Sequence, residues 1–129
     1  MRTLNGITIF NATPRVIRFW REGWDSPVEV EPDEVINARP VETPAPAPRS
    51  YRDGTGVGSA NFVTTNFMGD EAGATIVRRA EVAGADVIVG SIIAAQAYPG
   101  RVVAMTPAPG YERVAPAEKR MNPDKFTVF

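Results

Sequence analysis

Asp86-Val-Ile-Val-Gly-Ser-Ile-Ile-Ala-Ala-Gln-Ala-Tyr-Pro-Gly100, continued by Arg101-Val-Val-Ala-Met105, is the stretch on which the reading of the fold turns. Val87-Ile-Val89 is a short apolar run, the mark of a buried strand. It leads into Gly90-Ser91, where glycine permits close backbone approach and serine suits a helix N-cap. A short helix at about 91–98 follows, stopped by Pro99-Gly100. A second apolar run begins at Val102. The order is strand, helix, strand, and the link is near the lower limit for a parallel crossover. Parallel pairing of the two runs is expected despite the short link.

Upstream lies the clearest helix, at about 69–83, from Gly69-Asp-Glu to Ala83-Gly84. Asp70 and Glu71 sit in its first turn, where the positive end of the helix dipole favours them. Ala72, Ile76, Ala80 and Ala83, flanked by Val77, form its apolar stripe. Gly84 provides the C-terminal cap.

The first third of the chain is read as strands and turns. Ile7-Thr-Ile-Phe10 is β-rich, Asn11-Ala-Thr-Pro14 is turn chemistry, and Arg15-Val-Ile-Arg-Phe-Trp-Arg21 resumes a β pattern. Residues 6–21 are expected to form a hairpin or a bent strand pair. Val28–Glu31 and Glu34–Val41 are further short strands, the second broken at Pro40. Ala60–Phe67 is a later strand. Residues 43–59 read as a Pro/Gly-rich surface loop: a polyproline-like spacer from Thr43 to Pro48, then Asp53-Gly-Thr-Gly-Val-Gly-Ser59. The latter fits neither G-x-G-x-x-G nor G-x-x-x-x-G-K-[ST], because no lysine follows Ser59. An extended, proline-punctuated arm at 106–129 ends in Phe126-Thr-Val-Phe129. Its apolar end should dock as a strand on its own sheet or on a neighbour's.

The expected architecture is one domain over 1–129, of α+β or α/β class. It has a small mixed sheet, the amphipathic helix at about 69–83 and the short helix at about 91–98 inside the strand-helix-strand unit. The 129 residues are enough for one real core. Twelve prolines and eleven glycines imply much loop.

Composition excludes several functions. The chain has no cysteine and no histidine, so disulfides, thiolate catalysis, histidine bases and the common transition-metal ligand sets are absent. A formal net charge of −1 gives no field for bulk nucleic-acid binding. No apolar run reaches the ~20 residues needed to span a bilayer. Asn5, Gly6 and Thr8 interrupt any leader-like apolar segment, and a cytoplasmic location is expected. No metal, cofactor or catalytic residue is assigned, and no two carboxylates have a spacing that forces them together. The chain therefore reads away from catalysis.

Three features could hold a ligand. The turn at Gly90 and Ser91 presents backbone N–H groups to an anion, with an ordinary N-cap as the default reading. Arg15, Arg39, Arg49, Arg52, Arg101 and Arg113 offer bidentate phosphate contacts. Trp20, Trp24, Tyr51, Tyr98 and Tyr111 could stack on a base, with core packing as the default.

Asn11-Ala-Thr-Pro14 followed by Arg15-Val-Ile resembles the opening of a family of small phage and prophage proteins that begin with an Asn-x-Thr-Pro-His strand-turn. Ala38-Arg39, Val89-Gly-Ser91, Ala94-Ala-Gln-Ala97 and Pro107 resemble later pieces of the same pattern. The chain departs from it at Arg15, which stands where the family has histidine, and at Gly90, which is inserted before Ser91. The resemblance implies a phage setting, in which small non-enzymatic proteins sequester nucleotide signals of host defence.

The expectation is a non-enzymatic, homo-oligomeric protein of the host cytoplasm that binds an anionic, nucleotide-like small molecule. Its expected ligand residues are Asn11, Thr13, Arg15, Gly90, Ser91, Gln96 and Arg101. A protein-interaction or virion-associated module is the first alternative. A carboxylate- and Mg²⁺-dependent nucleotide-processing enzyme is the second.

Overall fold

The computed structural model describes residues 1–52 and 60–129. The Asp53–Ser59 glycine motif lies outside them. Nine strands and two α-helices are described: β1 (Arg2–Leu4), β2 (Ile7–Asn11), β3 (Ile17–Phe19), β4 (Val28–Val30), β5 (Arg39–Pro44), β6 (Val63–Met68), α1 (Glu71–Val82), β7 (Val87–Gly90), α2 (Ile92–Ala97), β8 (Val102–Pro107) and β9 (Met121–Thr127).

This corrects the expected class. Among the described residues the fold is mostly β, with 17% helix, in a nearly closed barrel-like sheet and a second sheet, rather than an α+β or α/β fold centred on the strand-helix-strand unit. Seven strands form one sheet in the order β1-β2-β7-β8-β9-β3-β4. It curls into a nearly closed barrel. Its two edges approach each other: Arg2 on β1 donates from Nη1 to the Glu29 carbonyl of β4 at 2.9 Å. The β2–β7, β7–β8 and β9–β3 pairs are parallel, and the others are antiparallel.

Side-chain alternation divides the core in two. Leu4, Ile9, Ile17, Phe19, Val30 and Val89 fill the barrel interior. Phe10, Ile88, Val102 and Ala104 point the other way, against Val77 and Ala80 of α1 and Ala94 and Ala95 of α2. Each of β2, β7 and β8 is therefore apolar on both faces, which explains their continuous apolar runs.

Several local expectations change. β2 and β3 do not pair with each other: β2 lies between β1 and β7, and β3 between β9 and β4. Asp70 is the N-cap of α1, its Oδ1 accepting from Gly73 N–H at 2.8 Å. The buried face of α1 is Gly73, Val77 and Ala80, whereas Ala72 and Ala83 are exposed. Residues 34–38 carry no strand; Ile36 instead caps the helix-side core, its N–H bonded to the Ala12 carbonyl at 3.1 Å. The spacer at 43–48 begins as strand. β5 and β6 form a separate two-stranded ribbon, and Ala45 N–H extends the ladder to the Phe62 carbonyl at 2.9 Å. The C-terminal arm docks on its own sheet, with β9 antiparallel to β8 and parallel to β3. Among the described residues no helix is long and apolar enough to cross a membrane.

Candidate functional site

β2, β7 and β8 run parallel, so Asn11, Gly90 and Pro107 end on one side of the barrel. The loop after β2 is held there by the backbone: Ala12 N–H donates to the Val89 carbonyl at 2.8 Å, and Asp33 N–H to the Asn11 carbonyl at 2.9 Å. The Asp33 carboxylate also accepts from Asn11 N–H at 2.8 Å.

Asn11 is fully buried. Its Nδ2 donates to the carbonyls of Arg15 (2.8 Å) and Val30 (3.0 Å). Its Oδ1 accepts from the N–H (2.9 Å) and hydroxyl (2.7 Å) of Thr13. Those four bonds use both donors and both lone pairs of the amide. Thr13 is likewise turned inward, its hydroxyl also 3.0 Å from the Arg15 carbonyl. Asn11 and Thr13 therefore shape the loop and present Arg15; their side chains are not free for a ligand.

Gly90 and Ser91 stand beside this loop. A Cβ on Gly90 would lie 2.8 Å from Val102 Cγ1 and 3.2 Å from Ala94 Cβ, so glycine lets β7 pack under α2. Ser91 caps α2, its Oγ accepting from Ala94 N–H at 3.1 Å.

A concavity of about 310 Å³ opens where these pieces meet. Thr13, Arg15 and Ser91 line it, together with Arg18 and Lys119 and an apolar floor that includes Ile17, Met105 and Met121. It adjoins a second, wider hollow of about 630 Å³ that shares Arg18 and Lys119 and adds Glu29, Tyr111 and Arg120. Arg18 is paired with Glu29 at 3.4 Å. Among the described residues, Arg15 and Lys119 have no carboxylate within ion-pairing distance. Arg120 is packed over the rings of Trp20 (5.3 Å) and Tyr111 (5.0 Å), so its position is fixed by cation–π contact.

The other two expected residues lie elsewhere. Gln96 faces β6, in a separate hollow with Thr65, Asn66, Phe67 and Met68. Arg101 pairs with Glu81 on α1, and that hydrogen bond raises its pKa above the ordinary arginine value. Among the aromatics, Tyr98 is core: its hydroxyl accepts from Asp70 N–H at 2.9 Å and donates to the Asp70 carbonyl at 3.1 Å.

Arg18, Met105, Pro116, Lys119 and Met121 were not among the residues read as ligand-binding. Arg18 carries a signal, since it alternates with the buried Ile17 and Phe19. Lys119 carries none, because its place depends on the 3-10 turn at Pro116–Glu118 and on β9 returning beside β3.

Among the described residues no three acidic side chains gather as a metal site would need. Comparison with protein-family models, curated proteins and solved structures finds no match to this chain.

Proposed function

We propose that this chain is a non-enzymatic binding protein for a small anionic molecule with an apolar or aromatic part, of nucleotide-like chemistry. The observation that supports this reading is the concavity between the Thr13–Arg18 segment and the Pro116–Met121 segment. Its apolar floor suits a flat organic group, and its rim carries Arg15, Arg18 and Lys119. A largely apolar pocket with a few placed polar groups is the common design of small-molecule sites, and about 310 Å³ is at the small end of their range. Arginine supplies bidentate contacts to phosphate and lysine a point charge. The roles are Arg15 and Lys119 as anion contacts, Ser91 as a rim hydrogen-bonding group, Met105 and Met121 as floor, and Asn11 and Thr13 as the frame that presents Arg15.

With the resemblance of the Asn11–Arg15 opening to small phage proteins, binding would sequester a host signalling nucleotide in the host cytoplasm. Native mass spectrometry with cyclic dinucleotides, cyclic trinucleotides and ADP-ribose derivatives tests the reading. The expected result is a discrete adduct released chemically unchanged on denaturation. Uptake of none of them refutes nucleotide binding, and release of a converted product refutes the non-enzymatic reading.

A second reading, a protein-interaction module, is favoured by the exposed β5–β6 ribbon. It is compatible with the first, because the ribbon and the concavity share no residue.

A further inference from the structure

The β5–β6 ribbon has two edges of different character. Ala45 N–H bonds inward to Phe62, and Thr43, Val41 and Arg39 lie opposite Thr64, Asn66 and Met68. Hydrogen-bonded pairs alternate along an antiparallel ladder. The odd residues of β5 and the even residues of β6 therefore bond within the ribbon. The outer edge of β5 is formed by its even residues, and two of the three, Pro40 and Pro44, have no N–H. That edge is blocked. The outer edge of β6 is formed by Val63, Thr65 and Phe67, and β5 is the sole strand partner of β6 among the described residues.

The two elements at that open edge carry no charge, although Glu42 and Arg39 of β5 lie across the ribbon from Thr65 and Met68. β6 reads Val-Thr-Thr-Asn-Phe-Met, and the adjacent α2 reads Ile-Ile-Ala-Ala-Gln-Ala. Neither holds a charge, in a chain that is 22% charged. Val63, Met68, Ile92 and Ile93 are 46%, 49%, 60% and 39% exposed. Uncharged, exposed, β-branched edges invite strand addition.

We propose that β6 pairs antiparallel with β6 of a second copy, about a two-fold axis at Thr65. The edge is complementary to itself. Thr65 meets its own counterpart, and Val63 meets Phe67 in both directions. The outward N–H and C=O groups of these three residues are then satisfied by about six interchain bonds. No like charges meet. The four-stranded sheet so formed ends at both sides in the proline-blocked edge of β5, so assembly closes at the dimer.

The chain has no cysteine, so Thr65→Cys places one thiol per chain at the axis. Hydrogen-bonded antiparallel partners have Cα atoms about 5.5 Å apart, within disulfide reach. Mild oxidation of Thr65→Cys should give a covalent dimer, while Thr43→Cys on β5 stays single. In sedimentation the unmodified protein should run at twice the chain mass. Thr65→Pro should run at the chain mass with an unchanged circular dichroism spectrum, because position 65 faces outward as Pro40 and Pro44 do. Three results overturn the proposal: an unmodified protein that is monomeric at high micromolar concentration, a dimer that survives Thr65→Pro, or a dimer that Thr65→Cys does not cross-link. A monomer that instead captures an extended peptide at β6 also overturns it.

Discussion

Replacing Asn11 tests whether the loop after β2 is built from within. Asn11→Ala deletes an amide that makes four buried or part-buried hydrogen bonds, at 2.7 to 3.0 Å. The Thr13 hydroxyl can turn to the Arg15 carbonyl, already 3.0 Å away, so three bonds are lost without replacement. At about 1 kcal/mol net per bond the cost is about 3 kcal/mol. That is a large part of the roughly 5–15 kcal/mol that holds a domain together. It corresponds to a fall in Tm of about 10 °C. Asn11→Asp keeps the shape and the bonds from Thr13, but points a carboxylate oxygen at the carbonyls of Arg15 and Val30. At neutral pH it should cost more than Asn11→Ala. Burial and the facing carbonyls raise the folded-state pKa of the new carboxyl above its unfolded value. The Asn11→Asp variant is therefore least impaired below the unfolded value of about 3.9, and loses stability as pH rises through the folded-state pKa. Urea unfolding followed by circular dichroism at pH 7 and pH 4, with the unmodified protein as reference at each pH, measures both effects. An Asn11→Ala cost below about 1 kcal/mol, or an Asn11→Asp variant as stable as the parent at pH 7, would refute the reasoning.

Gly73→Ala should destabilise by about 1–3 kcal/mol, against the usual gain of about 1 kcal/mol for this change within a helix, because the new Cβ would collide with the Tyr98 hydroxyl. Tyr98→Phe in the same chain should relieve part of that cost, and a double-mutant cycle on unfolding free energies should show coupling above about 1 kcal/mol. Gly90→Ala should lower Tm by overpacking against Val102 and Ala94, measured by thermal melting. Arg101→Ala, which breaks an exposed pair with Glu81 at a distance from the concavity, should leave ligand affinity unchanged in titration calorimetry.

What was legible in the sequence is what short-range chemistry encodes. The apolar runs Val87–Val89 and Val102–Met105 are continuous because both faces of their strands pack on a core, with Ile88, Val89, Val102 and Ala104 buried and Val87, Val103 and Met105 partly so. Asp70 and Gly84 bracket α1 as cap residues, Gly84 at φ 98°. The mostly-β class was hidden in the pairing: β3 and β4 were legible as strands, but only the return of β9 beside β3, far apart in sequence, joins them to β1, β2, β7 and β8 in one sheet, and β1, with three residues, is too short for a period-2 signal. One signal was available and not used: Asn5-Gly6, both at positive φ (55° and 76°), is the turn that hairpins β1 onto β2. The buried face of α1 was misplaced because Gly73, packed against Tyr98, carries no hydrophobic signal. Pro40 read as a strand breaker and Pro44 as part of a polyproline-like spacer, yet both occupy the outward positions of a two-stranded ribbon, where no N–H is needed. The site was legible only in its local part. Thr13, Arg15 and Ser91 converge because β2 and β7 are parallel neighbours, whereas Lys119 and Met121 arrive through pairing between β3 and β9, distant in sequence.

The central claim is that Arg15 and Lys119 hold an anionic ligand over the Met105–Met121 floor. Its most direct test is a titration, by calorimetry, of the nucleotide that forms an adduct, comparing the parent protein with the double variant Arg15→Glu, Lys119→Glu. The account predicts saturable binding to the parent, at least a hundredfold weaker binding to the double variant (about 2.7 kcal/mol for two charge-assisted contacts), and superimposable thermal melts. Equal affinity in the two proteins, or no binding by the parent, would contradict it.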